Sequence, residues 1–232
     1  MISAPMDPDA IADHIPFFQG VPPEACAKIL QLGDIKTFPA HAIIVDQEEW
    51  GRDVVFILNG WVKISTRIGE QEQTLDIFGQ GDYLGTMAVF DDYPPLHQAI
   101  ALAPTQTLHF SAQRFLQLLL KESNLQQRLL QLTNQRIRHL YRRLKSAHQS
   151  DARRIMKTLV YLGENYGPTT DRGIELVAIP PQTLGEMVHC DAEIVADTLA
   201  TLQTHQLLEI LPEEGCYYLP DLKKLHHFSK QF

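Results

Sequence analysis

Eight cations fall between positions 136 and 157: Arg136, Arg138, Arg142, Arg143, Lys145, Arg153, Arg154 and Lys157. Side chains of this kind hold multiply charged anions. Arginine gives two parallel bonds to a phosphate and can stack on a flat ring, whereas lysine acts as a point charge. Asp151 lies among them as a lone acceptor, and it reads equally well as a helix-capping residue. An arginine-rich helix surface can also be simply solvated or paired with acids. The concentration is local, because residues 1–120 carry 6 basic and 15 acidic residues, 121–149 carry 7 and 1, and 150–232 carry 7 and 12.

The opposite pattern follows. From Gly173 to Leu222 there are fifty residues with nine acids and no Lys or Arg. The middle of this stretch reads as a helix-turn-helix, a device that takes much of its DNA affinity from cations on phosphates. A net charge of −8 argues against non-specific binding of nucleic acid or anionic membrane by the whole chain. Cys26, Cys190 and Cys216 are far apart and lack zinc or cluster spacing, which suits free thiols in a reducing cytosol. No run of apolar residues reaches membrane-spanning length and the N-terminus has no signal profile, so the expected location is cytoplasmic. No nucleophile–base set, metal triad or Gly-rich loop with Lys marks an enzyme.

The elements that must position these residues are legible. A helix is expected through Pro23 to Leu30 within a helical stretch over 8–33. Short β-rich runs follow at Ala42–Val45, Val54–Leu58, Trp61–Ser65 and Gln73–Phe78, with Asn59-Gly60 as a hairpin signal. Such spacing predicts a small β-roll or barrel. Leu125 to Ala147 reads as one long helix with a stripe of Leu129, Leu132, Ile137, Leu140 and Leu144, suited to a coiled-coil-like dimer contact. Ser150-Asp151 caps a helix from Ala152 to Leu162. Helices at Pro181–Val188 and Ala192–Gln203 precede a two-strand wing near Leu208–Leu211 and Cys216–Leu219.

This order, with Gly81-Asp82-Tyr83-Leu84-Gly85-Thr86, Arg154-Ile155-Met156-Lys157-Thr158-Leu159 and Gln182-Thr183-Leu184-Gly185-Glu186-Met187-Val188-His189-Cys190, resembles the CRP/FNR superfamily of bacterial transcription regulators. The resemblance implies an α+β chain acting as a homodimer. It would have a cyclic-nucleotide-binding β-roll (1–120), a dimerisation helix (121–149) and a winged helix-turn-helix (150–232). It also exposes departures. Where cAMP-binding members keep Glu after the glycine, Gly85 is followed by Thr86, and His97-Gln98 replaces the phosphate-binding Arg-Ser pair. Leu140 and Tyr141 stand near the Thr-Ser positions that meet adenine. The N-terminal cysteine cluster of FNR-type members is absent, and neither His14 nor His97 is singled out as a haem ligand.

The base-reading positions fall on Ala192, Glu193 and Asp197, with Gln182 on the preceding helix. Bidentate Arg–guanine readout is therefore missing from this helix. Lys223, Lys224 and Lys230 could supply some backbone contact. Some relatives respond to cyclic di-GMP, a ligand that requires Arg planes, a carboxylate for guanine hydrogens and cations for two phosphates. Arg136, Arg142, Arg143, Asp151 and Arg153 supply those types, and the Trp50-Gly51-Arg52 turn adds a stacking plane. The expectation is a regulator sensing a nucleotide second messenger, cyclic di-GMP by preference, and acting by binding another, more basic CRP-type transcription factor. The alternative is a conventional DNA-binding regulator that is cAMP-responsive or ligand-independent.

Overall fold

The computed structural model describes residues 15–46, 53–69, 71–90 and 97–232. These divide into two compact units. The first holds positions up to Arg67 and Phe78–Tyr141, and the second Ile68–Ile77 and Arg142–Phe232.

The first unit opens with a 3-10 turn at Pro16–Phe18 and helix α1 (Pro23–Leu30), which begins on proline at its first position. Eight strands follow in the chain, of which β5 counts almost wholly with the second unit: β1 (Asp34–Phe38), β2 (Ile43–Val45), β3 (Asp53–Asn59), β4 (Val62–Ile68), β5 (Gln71–Phe78), β6 (Tyr83–Leu84), β7 (Gln98–Ala101) and β8 (Thr105–Ser111). They form two four-stranded sheets, ordered β1-β8-β3-β6 and β2-β7-β4-β5. The short helix α2 (Thr86–Phe90) lies between β6 and β7 in the chain, and α3 (Ala112–Lys121) follows β8 with Ser111 capping it through Arg114 N. One core is aromatic, with Phe17, Phe18, Phe56, Tyr83, Phe110 and Phe115 buried together. A second gathers Val55, Ile57, Val62, Ile64 and Ala99.

The Asn59-Gly60 pair turns the chain but makes no hairpin, because β3 and β4 lie in different sheets. Both edges of β3 are taken, by β8 and β6. Gly60 has φ +100°, and a Cβ there would sit 2.4 Å from Thr105 Oγ1, so the turn is folded against β8. The chain is thereby passed to the second sheet, where β4 pairs with β7.

Helix α4 (Ser123–Ser146) divides the expected single stripe in two. Leu125 is buried in the aromatic core, with Leu129 and Leu132 packed against it. Leu130, Ile137, Leu140, Tyr141 and Leu144 are exposed. A period of 3.6 residues puts the two sets on different faces, and only the second is free for a partner.

In the second unit, Ser150 caps α5 (Asp151–Tyr166) by accepting from Arg153 N. Strands β9 (Thr169–Thr170), β10 (Gly173–Val177), β11 (Glu209–Leu211) and β12 (Cys216–Leu219) make a sheet ordered β11-β12-β10-β9, in which the expected pair β11 and β12 is extended by β10 and β9. β10 has one fully buried residue and four half-buried neighbours, which leaves little alternation to read. Helices α6 (Pro181–Val188), α7 (Ala192–Thr204) and α8 (Leu222–Phe228) complete the unit, packed on buried Ile155, Leu159, Leu184, Val195 and Leu199. Among the described residues no helix is long and apolar enough to cross a membrane.

Candidate functional site

Gly85 and Thr86 join β6 to α2. Gly85 has φ +84°, and an added Cβ would lie 2.2 Å from the Asp53 carbonyl oxygen, so the backbone can pass β3 here only without a side chain. Gln98 is buried in β7 and donates from Nε2 to Ser65 Oγ at 3.3 Å. Burial holds the His97 imidazolium pKa below its ordinary value, and the charge of Arg136 lowers it further, so the ring is neutral at pH 7. Arg136, on α4, donates from Nη2 to Asp82 Oδ1 at 2.9 Å and to the Tyr83 carbonyl at 3.1 Å. Its guanidinium carbon also lies 4.4 Å from the Phe78 ring centre and 4.7 Å from that of Tyr83. At the cassette positions, then, the phosphate-binding pair is replaced by a neutral imidazole and an amide already bonded to Ser65. The one cation acting on His97 is itself bonded to a carboxylate.

The second unit holds Arg142, Arg143, Arg153 and Arg154, and their commitments differ. Arg143 donates to the carbonyls of Leu75 at 2.6 Å and Met187 at 2.7 Å, and its Nη1 lies 3.6 Å from Asp76 Oδ2. Arg154 donates to the carbonyls of Val188, Gln149 and His189 and pairs with Asp151 at 2.7 Å. Asp151 is thus a partner of Arg154, while Ser150 does the capping. Arg142 is exposed, and Arg153 is half-buried. Among the described residues neither side chain has a hydrogen-bonding or charged partner, and Arg153 Nε is buried without one. Trp50 and Arg52 lie outside the described residues.

In the helix-turn-helix, α6 ends on His189 in the left-handed conformation at φ 58°. Gly185 lets the following turn come close, since a Cβ there would be 2.6 Å from the Cys190 carbonyl. Glu193 and Asp197 are exposed on α7, which carries no Lys or Arg. Gln182 donates to Glu186 Oε1 at 3.1 Å, and Thr74 donates to Glu186 Oε2 at 2.6 Å. Gln73 Nε2 also donates to the Glu186 carbonyl. Glu186, Thr74, Gln73 and Asp76 were not singled out by sequence reasoning, because polar residues in a strand and a helix carry no signal of meeting each other.

Residues 35–122 match the model of the cyclic nucleotide-binding domain. The chain is similar to the cyclic AMP receptor protein of Thermus thermophilus, at 26% identity over 185 residues, or 77% of this chain and 86% of that one. Residues 35–122 are thus similar to cyclic nucleotide-binding domains, and the chain is similar to a cyclic AMP receptor protein. Its fold is shared with FixK2 of Bradyrhizobium japonicum, at 15% identity, TM-score 0.69, and 84% and 96% coverage of the two chains. It is shared also with CLP, the c-di-GMP responsive global regulator of Xanthomonas campestris, at 17% identity, TM-score 0.61, and 84% and 97% coverage.

The thiols of this chain are poor nucleophiles. Cys26 is buried. Cys216 donates to Glu175 Oε1 at 3.5 Å, and burial together with that carboxylate pushes its thiol pKa up to about 11. At pH 8 its alkylation by iodoacetamide should run about a hundredfold slower than that of a small free thiol, because the thiolate fraction falls in proportion. Peptide mass spectrometry over time measures this, and a rate matching the free thiol would contradict the geometry around Glu175.

Proposed function

We propose that this regulator works as a homodimer that senses a nucleotide second messenger, cyclic di-GMP by preference, and passes the signal to a more basic transcription factor in the cytoplasm. The observation that carries this reading is the state of the cations. Arg136, Arg143 and Arg154 are engaged by protein groups, whereas Arg142 and Arg153 are not. Two uncommitted guanidiniums can stack on guanine planes or bind their edges, and Asp151 can accept guanine hydrogens if it exchanges its bond to Arg154. A structural neighbour, the regulator CLP, is c-di-GMP responsive. The cassette pair His97-Gln98 has no cation for the phosphate of cAMP. The exposed Leu130, Ile137, Leu140, Tyr141 and Leu144 of α4 supply the face for a second copy.

Output through a protein partner is supported by α7, where Glu193 and Asp197 face solvent and would repel DNA phosphates. A conventional DNA-binding mode responsive to cAMP is the second reading. A curated relative is a cyclic AMP receptor protein, and Lys223 and Lys224 on α8 and Lys230 beyond it are exposed cations.

Calorimetric titration with cAMP, cGMP and cyclic di-GMP separates the two. Cyclic di-GMP is expected to bind, and Arg142→Ala and Arg153→Ala should each weaken it by at least about tenfold, or 1.4 kcal/mol. Micromolar binding of cAMP with no response to cyclic di-GMP would establish the second reading. Tight, sequence-specific DNA binding by the purified protein alone would remove the need for a partner.

A further inference from the structure

Lys145 lies in the last turn of α4, Gln149 in the link that follows, and Arg153 and Lys157 one turn apart on α5. Positions four apart on a helix present their side chains on one face. Among the described residues none of the three cations has a carboxylate partner. The nearest acid in the chain, Asp151, is taken by Arg154. Two buried polar atoms here lack a hydrogen-bond partner: Arg153 Nε and Gln149 Oε1. Buried polar atoms in folded proteins are normally satisfied, so two orphans beside one another in the chain point to a missing partner. The Lys157 ammonium pKa is held below its ordinary value by burial, with Arg153 and then Lys145 as further causes, so the three cations lie in one another's field.

An arginine whose Nε is free can present its Nε–H and one Nη–H side by side, the fork that fits two phosphate oxygens. Lysines on either side add point charges without demanding geometry. The Gln149 carboxamide, turned over, offers two N–H donors where its oxygen now has no donor to accept from.

We propose that Lys145, Arg153 and Lys157, with the Gln149 amide, form a seat for the phosphodiester groups of a cyclic dinucleotide. This seat rests on the reading that the effector is such a nucleotide, and it gives Arg153 to the phosphates, leaving Arg142 and Asp151 for the guanines. Duplex DNA fits it less well. A duplex calls for cations spaced along an open surface, whereas here the Arg153 Nε is buried.

The test uses the full-length protein. Calorimetry with cyclic di-GMP on Lys145→Gln, Lys157→Gln and the exposed control Lys230→Gln should show at least about tenfold weaker binding for the first two and less than about twofold change for the third. In parallel, the Lys157 ammonium is titrated by NMR of the methylated wild-type protein with and without inorganic pyrophosphate. Its pKa should rise when the anion binds, since a nearby opposite charge favours the charged form. If cyclic di-GMP does not bind but pyrophosphate raises the Lys157 pKa, the seat stands and the effector reading falls. If cyclic di-GMP binds equally to all variants, the seat is overturned while the effector reading stands. A pKa raised by duplex DNA and not by pyrophosphate overturns it as well, in favour of a DNA contact.

Discussion

Gly85→Ala should destabilise the nucleotide-binding roll by about 3 kcal/mol or more. Two costs combine. An L-residue at φ +84° loses on the order of 1 kcal/mol relative to glycine. The new Cβ would also stand 2.2 Å from the Asp53 carbonyl oxygen, a backbone atom that cannot rotate away. Asp53 opens β3, which is held by β8 on one side and β6 on the other, so relief means moving the sheet. Gly20→Ala is the control: its φ is +87° and nothing lies within 4 Å of its Cβ, so it should lose only the conformational part. Urea unfolding of both variants measures the difference. Equal losses at the two sites would show that the close approach to Asp53 costs nothing. A large loss at Gly85 also means that the step from β6 into α2, where the cassette begins, depends on one missing side chain.

Arg154→Ala should cost about 3 kcal/mol and lower the melting temperature by roughly 6–12 °C. This side chain is 15% exposed and accounts for three carbonyls and a carboxylate at once. Val188 and His189 end α6, so their carbonyls carry the negative end of that helix, and the arginine answers it. Removing the guanidinium leaves these acceptors and Asp151 part-buried without a donor. Arg154→Lys should recover only part of the loss, because one ammonium cannot reach four acceptors in a plane. Thermal denaturation followed by circular dichroism checks both. A change below about 1 kcal/mol for the alanine variant would mean that water replaces the network freely.

The contrast between Arg154 and Arg153 explains why the binding set was only half legible. In sequence they are adjacent members of one basic cluster. Helical geometry turns neighbouring residues about 100° apart, so one reaches the end of α6 and the other does not. Arg143 was grouped with Arg142 for the same reason. It bonds Leu75 and Met187, the first of them 68 positions away, and no local pattern records so distant a pairing. The long helix shows the same limit: its leucines read as one stripe, and only the presence of the aromatic core distinguishes the face it covers from the face left open. At Asn59-Gly60 the turn was legible and its consequence was not, since strand pairing depends on which edges are already taken.

The sequence by itself determined most element types, a motif order that resembles the CRP/FNR superfamily, the acidic character of α7 and the absence of Lys or Arg at His97-Gln98. These follow from residue identity, periodicity and charge, which act locally. Only the tertiary structure decided which arginines are engaged. A guanidinium's role depends on the carbonyls and carboxylates that folding brings within about 3 Å, and those come from distant parts of the chain.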